Sequence, residues 1–157
     1  MSSDDLYSQT ILQLAGKISR RGRLQNPDGT ATVQSKLCGS VIIVDVKLDG
    51  ERIADFAHEV EADALGSAAA AYLAQRVVGK TVNELKQLRE QMHNMLEADG
   101  APPCGDWAGL AVFESVRPYP ARHGSTLLTF DATVAAIEDA LAKKRIASSE
   151  WRIGKKA

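Results

Sequence analysis

Apolar and polar residues alternate from Val41 to Leu48, with Ile42, Val44, Val46 and Leu48 on one face and Asp45 and Lys47 on the other. That two-residue period predicts a half-buried β-strand. Asp49-Gly50 follows and supplies the residue types of a tight type I′ turn, in which both central positions need positive φ. The return strand is expected from about Arg52 to Val60, and Thr30 to Leu37 reads as a further strand. A small antiparallel three-stranded sheet results, and one of its faces must be covered.

Helical spacing supplies the cover. Leu6, Tyr7, Ile11, Leu14 and Ala15 trace a first helix with Asp4 or Asp5 as cap, ending near Lys17 before the Asn26-Pro27-Asp28-Gly29 turn signal. Asp63 to Val78 reads as an Ala-rich helix closed by Gly79, and its small side chains permit close approach to a neighbour. Thr81-Val82-Asn83-Glu84 is a capping box opening a helix to about Leu96. A short helix is expected from Asp106 to Val116, containing Trp107, Leu110 and Phe113, with Pro118 and Pro120 breaking it. Ser125 is then read as the cap of a last helix to about Lys144. Helix, sheet, then several helices is an α+β order and not an alternating βαβ one. The expected organisation is one domain over residues 1–142 and a basic C-terminal tail over 143–157.

Composition narrows the partners. With 157 residues, 25% charged and a net charge of −1, the chain carries no global attraction to nucleic acid or membrane. The basic run Ser19-Arg20-Arg21-Gly22-Arg23 has no interleaved aromatic residues and reads as a solvated surface. No apolar run approaches the ~20 residues of a membrane span, and Met1-Ser2-Ser3-Asp4-Asp5 lacks the positive start of a signal peptide, so a cytoplasmic protein is expected. No glycine-rich phosphate loop of the Walker type is present.

Candidate chemistry rests on few residues. Cys38 and Cys104 are far apart and form no CxxC motif, which leaves two free thiols in a reducing compartment. Cys38 with His58, His93 or His123 is a formal nucleophile pair, but no spacing supports hydrolase or protease chemistry. His93 reads as a surface residue in mid-helix, and His58 as a satisfied, partly buried ring on the strand face of Phe56 and Val60. Arg122-His123-Gly124-Ser125 reads as a turn before a helix start, suited to an anion, a thiolate or a metal-bound ligand, or simply to an N-cap at Ser125.

Taken in order, Cys38-Gly39-Ser40, the hairpin ending Lys47-Leu48-Asp49-Gly50, the helix from Asp63, Val78-Gly79-Lys80 and Pro120-Ala121-Arg122 resemble the NifU N-terminal family of iron-sulfur cluster scaffolds, and within it the SufU type. The resemblance runs from Leu6 to about Ala142. It implies a non-enzymatic scaffold that holds an iron-sulfur cluster or a zinc ion with three cysteines and an aspartate, and that works with a cysteine desulfurase or other iron-sulfur assembly proteins. Matched position by position, the first cysteine is Cys38, the aspartate falls on Ser40, and the other two cysteines fall on Asp63 and Ser125. A mixed site of Cys38, Asp63, His123 and Ser125 is implied, with Ser40 and Arg122 as further pocket positions, holding zinc, iron or no metal at all. A homodimer pooling two Cys38 thiolates is a further expectation, as is a metal-free role in which Cys38 accepts sulfur from a desulfurase. An inert interaction module is the remaining alternative.

Overall fold

The computed structural model describes residues 8–37 and 39–156, with side chains through 147. Helix α1 (Gln9–Ala15) is capped by Ser8, whose Oγ accepts from the Ile11 amide at 3.3 Å. The expected start at Leu6 and Tyr7 and the Asp4 or Asp5 cap lie outside the described residues. Strands β1 (Gly29–Gln34), β2 (Val41–Asp49) and β3 (Arg52–Glu61) form one antiparallel sheet in the order β1-β2-β3. Helices α2 (Ala64–Ala74) and α3 (Val82–Glu97), a 3-10 helix (Gly105–Val116) and a long α4 (Pro120–Lys156) complete the α+β fold.

The apolar face of β2 is buried as its period predicts, although Asp45 on the other face is buried as well. Ile42, Val44, Val46 and Leu48 are all buried, as is Phe56 opposite Val46 on β3. The hairpin turn differs in type. Asp49 pairs with Arg52, so the loop is Gly50-Glu51, and of its two residues only Gly50 has positive φ, at 60°. Positive φ at the first central position alone is the type II′ pattern, not type I′. Helix α4 packs on β1 and β2 and also against α2 and α3. It approaches β1 so closely that a Cβ on Gly29 would lie 2.1 Å from the Ala136 carbonyl oxygen.

The helices differ from expectation in four places. Helix α2 ends at Ala74 and not Val78; Gly79, at φ 91°, instead turns the chain and gives its amide to the Ile53 carbonyl at 2.8 Å. The Asp106–Val116 segment winds as a 3-10 helix, which sets Trp107, Leu110, Phe113 and Val116 on one buried stripe at three-residue spacing. Helix α4 begins at Pro120, because a proline in the first turn gives up an amide that has no intrahelical acceptor. Residues Arg122 to Ser125 therefore lie inside α4 and are not a turn before it, and Ser125 is not its cap. At the other end α4 continues past Lys144 to Lys156, so the backbone of the basic segment is helical.

Two histidines depart from expectation. His58 is fully buried; its Nε2 donates to the Ser19 carbonyl at 2.8 Å, while Nδ1 has no partner. Burial pushes its pKa below the ordinary value, against the raising effect of that carbonyl and with help from Arg21. A histidine neutral in the folded state binds fewer protons than the unfolded chain, so its stabilising contribution is complete above about pH 6.5 and is lost as pH falls from there. Thermal melts of wild type should accordingly show stability falling on acidification below that pH, with the slope reduced in His58→Gln. Equal slopes in the two proteins would contradict the assignment.

His93 is no idle surface residue. It bridges α3 to α4, with Nε2 at 2.8 Å from Asp131 and Nδ1 at 3.2 Å from Glu97, and Arg89 shares the same Asp131 oxygen at 2.8 Å. The bond to Asp131 raises its pKa against the opposing effect of burial. Among the described residues no helix is long and apolar enough to cross a membrane.

Candidate functional site

The first turns of two helices converge at the site. Asp63 is the N-cap of α2, its Oδ1 accepting from the Gly66 amide at 2.9 Å, which satisfies one of the orphan donors of a helix start. Its other oxygen faces α4. Ser125, in the second turn of α4 and 1% exposed, directs its hydroxyl at Asp63 Oδ2 at 3.2 Å, with the Arg122 carbonyl at 3.3 Å as a second acceptor. The Arg122 guanidinium stands 3.6 Å from the same Oδ2. Gly66 permits this convergence, since a Cβ there would meet the Ser125 carbonyl oxygen at 2.9 Å.

The loop between β1 and β2 abuts the same helix. The Ser35 amide donates to the Ser40 carbonyl at 2.8 Å and the Gly39 amide to the Ser35 carbonyl at 3.0 Å, closing the loop on itself. Ser35 and Ser40 are buried, and Ser35 Oγ would lie 3.2 Å from a Cβ at Gly124, so the loop and α4 are in close contact. Cys38 belongs to this loop by sequence but lies outside the described residues.

Of the implied positions, then, the structure joins Asp63, Ser125 and Arg122 directly and sets Ser40 in the adjoining loop. His123 is occupied elsewhere. Its Nε2 lies 3.1 Å from the Val116 carbonyl oxygen and 3.0 Å from that of Arg117. Both are acceptors, so Nε2 carries the proton and ties α4 to the end of the 3-10 helix. Cys104 is exposed, on a groove shared with Lys80, Gln87, Gln91 and Trp107 between α3 and the 3-10 helix.

With this geometry the family can be settled. The family model for the NifU-like N terminal domain matches residues 6–126. The chain belongs to that family. Among solved structures it is similar to a nitrogen-fixing NifU-like protein (N-terminal) from Brucella abortus, at 47% identity and a TM-score of 0.87, covering 89% of this chain and 97% of that one. A putative iron-sulfur cluster assembly scaffold protein for the SUF system from Fervidobacterium islandicum shares the fold, with 21% identity, a TM-score of 0.78, and 86% and 98% coverage. Among curated proteins, the iron-sulfur cluster assembly scaffold protein IscU of Streptococcus pyogenes serotype M1 is 23% identical over 152 residues, 96% of this chain and 94% of the relative. The zinc-dependent sulfurtransferase SufU of Bacillus subtilis is 24% identical over 129 residues, 82% and 87% of the respective chains.

The described donors of this NifU-like domain do not fit a sulfur-rich cluster. Where soft thiolates favour such a centre, the described part of the site offers a carboxylate and a hydroxyl. The carboxylate already accepts from an amide and a hydroxyl and stands 3.6 Å from a guanidinium. Among the described residues no group of three or more His, Cys, Asp or Glu side chains is gathered so as to hold a metal ion.

Arg122 beside Asp63 is the feature that spacing alone leaves hidden. It becomes legible once the helix is started at Pro120, because Arg122 and Ser125 are then three apart on one helical face.

Proposed function

We propose that this chain serves iron-sulfur cluster assembly as a non-enzymatic, scaffold-like carrier or docking protein with an altered cargo site. The observation that carries the proposal is the NifU-like fold over nearly the whole chain, with Asp63 and Ser125 in hydrogen-bond contact where α2 and α4 meet. Cys38 is its sulfur-handling residue, Asp63 and Ser125 are the remaining cargo-site positions, with His123 beside them in sequence, and a cysteine desulfurase is its partner class. The site residues act by orienting and by charge. Asp63 fixes the start of α2, Ser125 joins it to α4, and buried Ser35 packs one end of the β1–β2 loop against Gly124. Operation in the cytoplasm and a domain of residues 1–142 belong to the same proposal.

A second reading has its own observation. Asp63 already has partners in Gly66, Ser125 and Arg122 without a cation, which favours Cys38 as a metal-free sulfur acceptor. One experiment separates the two. Wild type, Cys38→Ser and Asp63→Ala are reconstituted anaerobically with iron and sulfide, and with zinc, for metal analysis and absorption spectra. In parallel each is incubated with a cysteine desulfurase and cysteine for mass spectrometry. Metal retained by wild type above both variants supports the carrier. A one-sulfur adduct on Cys38 without metal supports the acceptor, and neither signal from wild type refutes both.

A further inference from the structure

The contact between Arg122 and Asp63 does more than hold two helices. Asp63 contributes the one negative charge of the described site, and its Oδ2 carries two partners, the Ser125 hydroxyl at 3.2 Å and the Arg122 guanidinium at 3.6 Å. A divalent cation taken up at this carboxylate would have to displace the Ser125 proton or share Oδ2 with a fixed positive charge. Arg is permanently protonated, so no change of pH within the physiological range removes that charge. The Arg122 side chain is 44% exposed and that of Asp63 25%. Both partners thus reach solvent, and an ion arriving at the carboxylate meets the field of the guanidinium beside it.

We propose that Arg122 is a built-in counter-ion that sets selectivity against divalent cations at Asp63. The inference rests on Asp63 being a cargo-site position, as proposed above, and gives Arg122, until now only a pocket position, a selectivity role. Its guanidinium supplies beside the carboxylate the positive charge that Zn2+ or Fe2+ would otherwise bring, leaving a neutral pair with little remaining attraction for a second cation.

Zn2+ alone is the probe, titrated anaerobically into the purified chain in competition with a chromophoric chelator. Arg122→Ala should bind zinc at least about tenfold more tightly than wild type, because a like charge 3.6 Å from the carboxylate oxygen that would take the ion has been removed. Arg122→Lys keeps the charge and should stay near wild type. The gain should vanish in the double variant Arg122→Ala/Asp63→Ala. Circular dichroism melts of each variant establish that it is folded, as expected for a half-exposed side chain.

Affinity of Arg122→Ala within about twofold of wild type would overturn the proposal. So would a gain that survives removal of Asp63. The titration involves no desulfurase and no sulfide, so its failure leaves the assembly role standing, whereas failure of the reconstitution and sulfur-transfer experiments leaves the zinc result intact.

Discussion

Gly29→Ala should destabilise the protein by about 3 kcal/mol, at the upper end for overpacking a core. The reason is steric and not conformational. An added Cβ would lie 2.1 Å from the Ala136 carbonyl oxygen, 2.5 Å from the Ala140 amide nitrogen and 2.7 Å from the Ala140 Cβ. The first two are backbone atoms in a continuous helix and cannot rotate aside, so β1 and α4 must separate. That separation also strains the bond from the Thr30 amide to Asp139 at 2.9 Å, which satisfies an outward-facing donor of an edge strand. Gly16→Ala is the control, since an added Cβ there would lie 3.7 and 3.9 Å from the Gln13 and Leu12 carbonyl oxygens, ordinary contact distances. Urea unfolding should show a large fall in midpoint for Gly29→Ala and little change for Gly16→Ala. Equal midpoints for Gly29→Ala and wild type would mean that the two elements are not in such close contact.

This packing bears on the site because the helix that crosses Gly29 is the one that presents Ser125 and Arg122. A long α4 seated on β1 and β2 fixes the height of its first turns against α2, and the small residues Gly29 and Gly66 set the two distances. Either substitution would move Ser125 relative to Asp63 without removing a polar side chain.

What the sequence discloses follows from how local each determinant is. The β2 strand, the Asp63 cap and the Thr81 cap are encoded within a few residues, and the structure has all three, with Thr81 Oγ1 accepting from the Glu84 amide at 3.1 Å. The start of α4 is encoded just as locally, yet Pro118 and Pro120 carry two meanings, helix breaker and first-turn residue, and only tertiary packing selects the second. The buried stripe of Trp107, Leu110, Phe113 and Val116 has a period of three, which separates a 3-10 helix from an α-helix once all four residues are counted. His93 is illegible for another reason: its partner Asp131 lies 38 residues away on a different helix. At the site, position matching alone put Asp63 and Ser125 together, and their contact spans 62 residues of chain that no spacing rule covers.

Asp45 is the largest departure from the alternating pattern, and substituting it should have the second large effect. It lies on the β2 face with Lys47, where a solvated residue is expected, but it is fully buried. Its two oxygens accept from Arg23 Nε at 2.7 Å, Arg23 Nη2 at 3.1 Å, the Leu24 amide at 3.0 Å and Thr30 Oγ1 at 2.6 Å. One carboxylate thereby fastens the irregular segment after α1 to the β1–β2 ladder. Asp45→Ala removes the common acceptor and leaves an amide and a hydroxyl unpaired, which should cost about 3 kcal/mol.

The pH dependence has a definite sign. Burial pushes the Asp45 carboxyl up, but the bonds from Arg23, Thr30 and Leu24 outweigh it and hold the pKa below the ordinary aspartate value. A carboxyl so lowered stabilises fully above its unfolded pKa of about 3.9 and loses that contribution as pH falls through the folded value. The gap between wild type and Asp45→Ala in urea unfolding should therefore be widest near neutral pH and narrow on strong acidification. Asp45→Asn, which keeps the volume and one acceptor oxygen, should fall between them at neutral pH. A gap that stays constant down to acid pH would show that the carboxylate's charge is not what joins these segments. The cost would then belong to its shape, and the strand would owe its position to the apolar face alone.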